Sequence, residues 1–132
     1  MVAITGGGGG LGADACRLAR TRGARAIAVV DRNSAAAGRV AAEVGGMPVI
    51  ADVSGEQQVR AAVAAVEAEF GQVDVWVHDA GIGAKTSTFT PDETWQRMWQ
   101  VHAMAIVRTQ PGASPRAASA QRNADAAAAR RR

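Results

Sequence analysis

The sequence predicts a doubly wound α/β domain, one parallel sheet with helices on both faces. Two observations predict it. Four short apolar runs alternate with longer segments whose apolar residues recur at helical spacing. Between the first run and the first helical segment stands a cluster of five glycines, Gly6 to Gly10, where a tight turn is needed.

Val2-Ala3-Ile4 reads as the first strand. Leu11 to Arg22 follows as a helix with Leu11, Ala15, Leu18 and Ala19 on its apolar face, and Gly23 stops it. Ala26 to Val30 is the second strand, with Asp31 at its carboxyl end. Asn33 or Ser34 caps a helix running to about Val44, Gly45-Gly46 ends it, and Pro48-Val49-Ile50-Ala51 is the third strand. Ser54 with Gln57 three residues later forms a capping box, opening a helix whose stripe is Val59, Ala62, Val63, Val66 and Phe70. Val73 to Val77 is the fourth strand, and Asp79 to Thr90 is loop. Pro91 at a first helical position and the acids Asp92 and Glu93 then open a helix through about Arg108. Crossovers between parallel strands are expected to be right-handed.

The chain has 132 residues, 48% hydrophobic and 20% charged, which excludes a disordered or collagenous chain. A formal charge of +3 and a pI near 10.4 invite an anionic partner. The excess is confined to residues 110 to 132, which carry five arginines and one acid; the first 109 residues carry ten basic and eleven acidic groups. Two parts are therefore expected: a folded domain over 1–109, and a basic low-complexity tail over 110–132 that is disordered or a loosely docked helix. The three terminal arginines lack an aromatic stacking platform, which argues against nucleic acid. A single cysteine, Cys16, suits a reducing cytoplasm, and no apolar run is long enough to span a membrane.

Thr5-Gly6-Gly7-Gly8-Gly9-Gly10-Leu11-Gly12 has the form T-G-x-x-x-G-x-G between a strand and a helix. Read alone, five glycines in a row also suit a flexible connector. At this place they allow a phosphate to approach the backbone, and the helix amino end offers unpaired N–H groups and positive partial charge to a pyrophosphate. Asp31 lies nineteen positions after Gly12, near the offset at which an acid after the second strand binds a ribose diol. A carboxylate there repels a 2′-phosphate and favours NAD over NADP; Arg32 beside it keeps NADP as the alternative.

With these motifs the chain resembles the amino-terminal half of a short-chain dehydrogenase/reductase over residues 2 to about 109. Asp52-Val53 resembles the pair that contacts the adenine ring, and His78-Asp79-Ala80-Gly81 resembles the Asn-Asn-Ala-Gly motif. Trp95 through His102 resembles the helix that follows it. The resemblance implies a Rossmann-type sheet of about four strands in order 3-2-1-4, incomplete, with the fourth strand as an apolar edge. It implies cofactor binding by Thr5, Gly6, Gly10, Leu11, Gly12, Asp31, Arg32, Asp52, Val53, Asp79, Ala80 and Gly81. It further implies a small alcohol or ketone substrate and pairing of copies through the 91–108 helix.

The family transfers hydride with the help of a serine, a Tyr-x-x-x-Lys pair and a supporting asparagine. This sequence contains no tyrosine, its one lysine is Lys85, and His102 stands where the asparagine is expected. His102 is read either as positioning a water or carbonyl or as simply packed. Where the fifth strand should follow, Pro111 and Pro115 flank Gly-Ala-Ser, so Ser114 and Ser119 are poor candidates for the catalytic serine. The composition change there leads to the expectation of a truncated or frameshifted reading frame. His78 and Asp79 supply no full metal ligand set, Cys16 is expected to be a buried inert thiol, and Trp95, Met98 and Trp99 are expected to pack or to form an interface. Three functions stay open: an NAD-dependent oxidoreductase domain, a non-catalytic dinucleotide-binding or pairing module, and a truncated product without function.

Overall fold

The computed structural model describes residues 1–84, Ser87 and residues 89–110. The elements run β1 (Val2–Thr5), α1 (Gly10–Thr21), β2 (Ile27–Asp31), α2 (Ser34–Val44), β3 (Met47–Ile50), α3 (Glu56–Phe70), β4 (Val75–His78) and α4 (Asp92–Trp99). A π-helical turn, Gln100–Met104, then leads into α5 (Ala105–Arg108). The four strands are parallel in the order β3-β2-β1-β4, as expected. The expectations for the basic tail, for Ser114 and Ser119, and for Lys85 lie outside the described residues.

Burial on both faces explains the near-continuous apolar strands. On one side Ile4, Ile27 and Val29 pack with Ala13 and Cys16 of α1 and with Ala37, Val40, Ala41 and Val44 of α2. On the other, Ala3, Ala28, Val30 and Val49 pack with Ala62 and Val66 of α3. A third cluster joins Val53, Val59 and Val63 to Val101 and Ala105, seating the π-turn and α5 against α3. Arg17 of α1 pairs with Glu43 of α2 through Nε–Oε1 at 2.7 Å, and Arg20 donates to the carbonyls of Val44 and Gly45 at the end of α2.

Five local expectations are corrected. The buried face of α1 is Gly12, Ala13 and Cys16, with Ala15 and Ala19 at its margin. Leu11 is 76% and Leu18 54% exposed. A bulky side chain would hold the helix off the sheet, and the close seat of Gly12 sets its rotation instead. The Ser54 capping box does not form either. Ser54 Oγ donates to Asp52 Oδ1 at 2.7 Å and Ser54 N donates to the same oxygen at 2.9 Å, while Gly55 holds the N-cap of α3 without a side-chain bond. The fourth strand spans Val75–His78, later than expected, because Asp74 and Val75 N–H groups both bond Met1 O at the sheet's lower edge. Pro91 caps α4 from outside, with Asp92 and Glu93 in the first turn. The last helix is not continuous, since the π-turn inserts a wider loop of backbone at Gln100–Met104.

The packing predicts two substitutions with opposite signs. A Cβ on Gly12 would stand 2.3 Å from Gly6 O, whereas one on Gly38 in α2 would meet nothing within 4 Å. Gly12→Ala is expected to cost ~3 kcal/mol in denaturant unfolding, and Gly38→Ala to stabilise by about 0.5–1 kcal/mol through helix propensity. A pH dependence follows from the β3–α3 turn. The two Ser54 bonds, with smaller help from Arg97 and Arg32, hold the Asp52 carboxyl below its ordinary range. Its folded pKa lies below its unfolded one, so this stability is present above the ordinary carboxylate range and is lost as pH falls through the depressed value. Ser54→Ala is expected to lower stability by about 1 kcal/mol at neutral pH, and the difference from the parent should shrink in unfolding curves below about pH 4. An unchanged difference at acid pH would place the loss elsewhere than on Asp52.

Candidate functional site

Parallel strands bring all their carboxyl ends to one edge of the sheet, where a crevice forms beside the reversal of strand order. Here a cavity of about 310 Å³ lies beyond the ends of β1, β2, β3 and β4. Of the residues singled out from the sequence, Gly6, Asp31, Arg32, Asp52, Val53, Asp79, Ala80 and Gly81 line it. Thr5, Gly10, Leu11 and Gly12 do not. Gly10 and Leu11 stand exposed in the first turn of α1, and Thr5 and Gly12 are buried behind the wall.

The buried pair shapes the wall. Thr5 Oγ1 accepts the Ala80 N–H at 3.3 Å and donates to Val77 O at 3.5 Å, fixing the chain after β4 against the chain after β1. Gly6 sits at φ 71°, and a Cβ there would stand 2.8 Å from Ala80 N. Any other residue at Gly6 is strained in backbone and blocked in space. Cys16 lies beneath the turn with Sγ 4.0 Å from Gly7 O, and burial pushes its thiol up to about 11. It is an inert packing group, as expected.

The turn presents donors. Gly9 caps α1 in an extended conformation with no side-chain bond, and no acid occupies the first turn of the helix. The amino end of α1 therefore carries unpaired N–H groups and an uncompensated positive partial charge beside the cavity. Across from it, Asp31 Oδ2 accepts the Gly8 N–H at 3.0 Å and Oδ1 accepts the Asn33 N–H at 2.9 Å. Each oxygen keeps a lone pair for a further donor. On the β3 side Asp52 faces Arg97 at 3.9 Å, and Val53 supplies an apolar patch.

His102 lies on the π-turn, outside the cavity lining, with Nε2 2.8 Å from Ile82 O and 3.3 Å from Ile82 N. This contact ties the π-turn to the backbone after Gly81. His78 accepts or donates through Nε2 to Thr109 Oγ1 at 3.1 Å, its Nδ1 is buried without a partner, and burial lowers its pKa. Among the described residues no three His, Cys, Asp or Glu side chains come together as a metal site.

Four lining residues escaped the sequence reading: Gly9, Val30, Ala51 and Val101. Gly9 is one of the unspecified positions of the glycine pattern, and Val30 and Ala51 read only as strand. Val101 looks like any apolar helical residue; it lies buried in the π-turn and lines the crevice.

The site's residues suit a dinucleotide: glycines where a Cβ would intrude, uncapped helix amides for an anion, and a carboxylate across the crevice for hydroxyl donors. The family model for short chain dehydrogenases matches residues 1–124. A galactitol 2-dehydrogenase (L-tagatose-forming) of Cereibacter sphaeroides is 36% identical over 104 residues, covering 76% of this chain and 40% of that protein. The L-sorbose reductase of Gluconobacter frateurii, solved with NADPH and L-sorbose, superposes with a TM-score of 0.73 at 31% identity, over 82% of this chain and 44% of that one. A 3-ketoacyl-(acyl-carrier-protein) reductase from Brucella melitensis, solved with NADH, superposes with a TM-score of 0.72 at 34% identity, over 82% and 46%. The chain thus spans less than half the length of each of these relatives. With its glycine turn, its sheet order and its matched model all in agreement, the chain belongs to the short-chain dehydrogenase family.

Proposed function

We propose that this chain is the NAD-binding part of an oxidoreductase acting on a small alcohol or the corresponding ketone. The observation that carries the cofactor choice is Asp31, whose carboxylate stands at the cavity with one oxygen on the Gly8 amide. In that position it accepts from the two hydroxyls of the adenosine ribose and repels a 2′-phosphate. Arg32, which also lines the cavity, keeps NADP as the competing ligand.

The other roles follow from position. The amides at the start of α1, from Gly9 through Leu11, take the pyrophosphate, and Gly6 and Gly12 let the backbone come close. Thr5 holds the Ala80 amide in place. Val53 and Asp52 bound the adenine, the ring's edge meeting the turn and its face the apolar side chain. Asp79, Ala80 and Gly81 wall the far end of the crevice, with His102 holding the strand of backbone just beyond them. NAD, when bound, supplies the hydride acceptor.

Proton transfer to or from the substrate needs a group this sequence does not provide in the family's form, since it has no tyrosine. That absence favours, as a second reading, a non-catalytic dinucleotide-binding module. Trp95 and Trp99, 47% and 62% exposed on α4, fit pairing of two copies through that helix. No helix among the described residues is long and apolar enough to cross a membrane; the single buried Cys16 is consistent with a reducing cytoplasm.

Titration with NAD and NADP, followed by tryptophan fluorescence and thermal unfolding, tests the reading. NAD is expected to bind more tightly than NADP and to raise the unfolding temperature, without NADH formation on an alcohol panel. Asp31→Ala should weaken NAD about 10- to 100-fold, the scale of hydrogen bonds to a charged group, and narrow the NAD/NADP ratio. Unchanged affinity and ratio would remove the ribose assignment, and turnover above background would return the chain to the catalytic reading.

A further inference from the structure

We infer that Arg108 is a positioning residue for the crevice, a clamp that fixes the β3–α3 wall to the π-turn wall. Its guanidinium is partly buried at the end of α5. Nη1 donates to Ser54 O at 3.0 Å and reaches Val53 O at 3.5 Å, and Nη2 donates to Gln100 Oε1. One planar group thus grips two segments that are 46 residues apart in sequence, from Ser54 to Gln100.

Both gripped segments carry cavity wall. Val53 and Val101 line the crevice, and the two side chains belong to one buried cluster with Val59, Val63 and Ala105. Apolar contact alone is non-directional and lets such walls slide. The fork of Arg108 supplies the missing direction, since its hydrogen bonds fix the turn and the helix in angle as well as distance. Nε is buried without a partner, so the side chain holds this geometry although one donor is unsatisfied. A lysine carries its three donors on one compact, freely rotating ammonium and lacks the rigid fork that holds both acceptors at fixed angles.

The clamp deepens the proposed dinucleotide reading and rests on it for the ligand, an adenine nucleotide; its contacts stand independently. Gln100 opens the π-turn, Val101 follows in the wall, and His102 next holds Ile82. Displacing Gln100 therefore moves both the π-turn wall at Val101 and the Ile82 backbone beyond Gly81.

The experiment compares the full chain with Arg108→Lys, Gln100→Leu and the double variant, at a temperature where unfolding curves show each to be folded. The probe is AMP, titrated by calorimetry, with amide exchange of the unliganded proteins measured in parallel. Each single variant should weaken AMP about tenfold, and the double variant should be no worse than either single one, since both break the same clamp. Exchange should accelerate at Val53, Ser54, Val101 and His102 and stay unchanged in β1 and β2. Additive losses, unchanged AMP affinity, or acceleration spread evenly over the domain would overturn the clamp. Should the parent chain bind no AMP, the dinucleotide reading fails by itself, and the exchange pattern alone decides the clamp.

Discussion

A side chain at position 12 would collide with the Gly6 carbonyl oxygen, 2.3 Å from the place a Cβ would take, and much of the molecule follows from that backbone-on-backbone contact. It seats α1 deep against the turn after β1 and fixes the helix's rotation. With the rotation fixed, Ala13 and Cys16 face the sheet, and Leu11 and Leu18 are left outside. The same seating aims the amino end of α1 at the crevice. Apolar burial supplies the free energy for docking the helix, but the choice among possible rotations is made by two residues that bury almost no side chain.

The parallel order β3-β2-β1-β4 was legible because it depends on coarse features: strand-length apolar runs, helix-length stripes and glycines between them. The stripe of α3 was legible for the same reason, since Val59, Ala62, Val63 and Val66 are large enough or frequent enough to mark a face. The face of α1 was not, because its inner surface is built of glycine, alanine and cysteine, residues that a hydrophobic pattern barely registers. Ser54 shows a different limit. Its spacing to Gln57 suits a capping box, yet Asp52 two residues earlier offers an ionised acceptor, and the hydroxyl goes there. A charged acceptor makes the stronger bond.

In the candidate site, the legible part was whatever sits on a strand end or in the glycine turn: Gly6, Asp31, Asp52 and Ala80 all reach the cavity. Val101, which also lines the cavity, was not marked as a site residue, since it lies within a π-turn. An insertion of that kind has no composition of its own; Gln100 to Met104 reads as ordinary helix. Of the hydrogen bonds that hold it, Arg108 to Gln100 lies along the same helical run, whereas Arg108 to Ser54 O and His102 to Ile82 join elements brought together only by the fold.

The glycine run also answers the reading of it as a connector. Gly7 N donates to Val30 O at 3.2 Å, Gly8 N to Asp31 Oδ2 at 3.0 Å, and Arg39 Nη2 donates to Gly8 O at 3.2 Å. Ala13 N closes the first helical bond on Gly9 O at 3.1 Å. Ordering glycine costs more backbone entropy than ordering any other residue, so each of these bonds offsets a cost already met in the unliganded chain. A ligand entering the crevice finds the amides in place and does not have to order them, and preorganisation of that kind strengthens binding without adding a contact. Asp31 belongs to both sides of this arrangement: it secures Gly8 from beneath, and it keeps a carboxylate lone pair toward the cavity. A substitution there changes the shape of the turn as well as the charge that faces the cavity; Asp31→Asn removes the charge and keeps one acceptor oxygen for the Gly8 amide, losing only the bond from Asn33 N, whereas Asp31→Ala removes charge and both bonds.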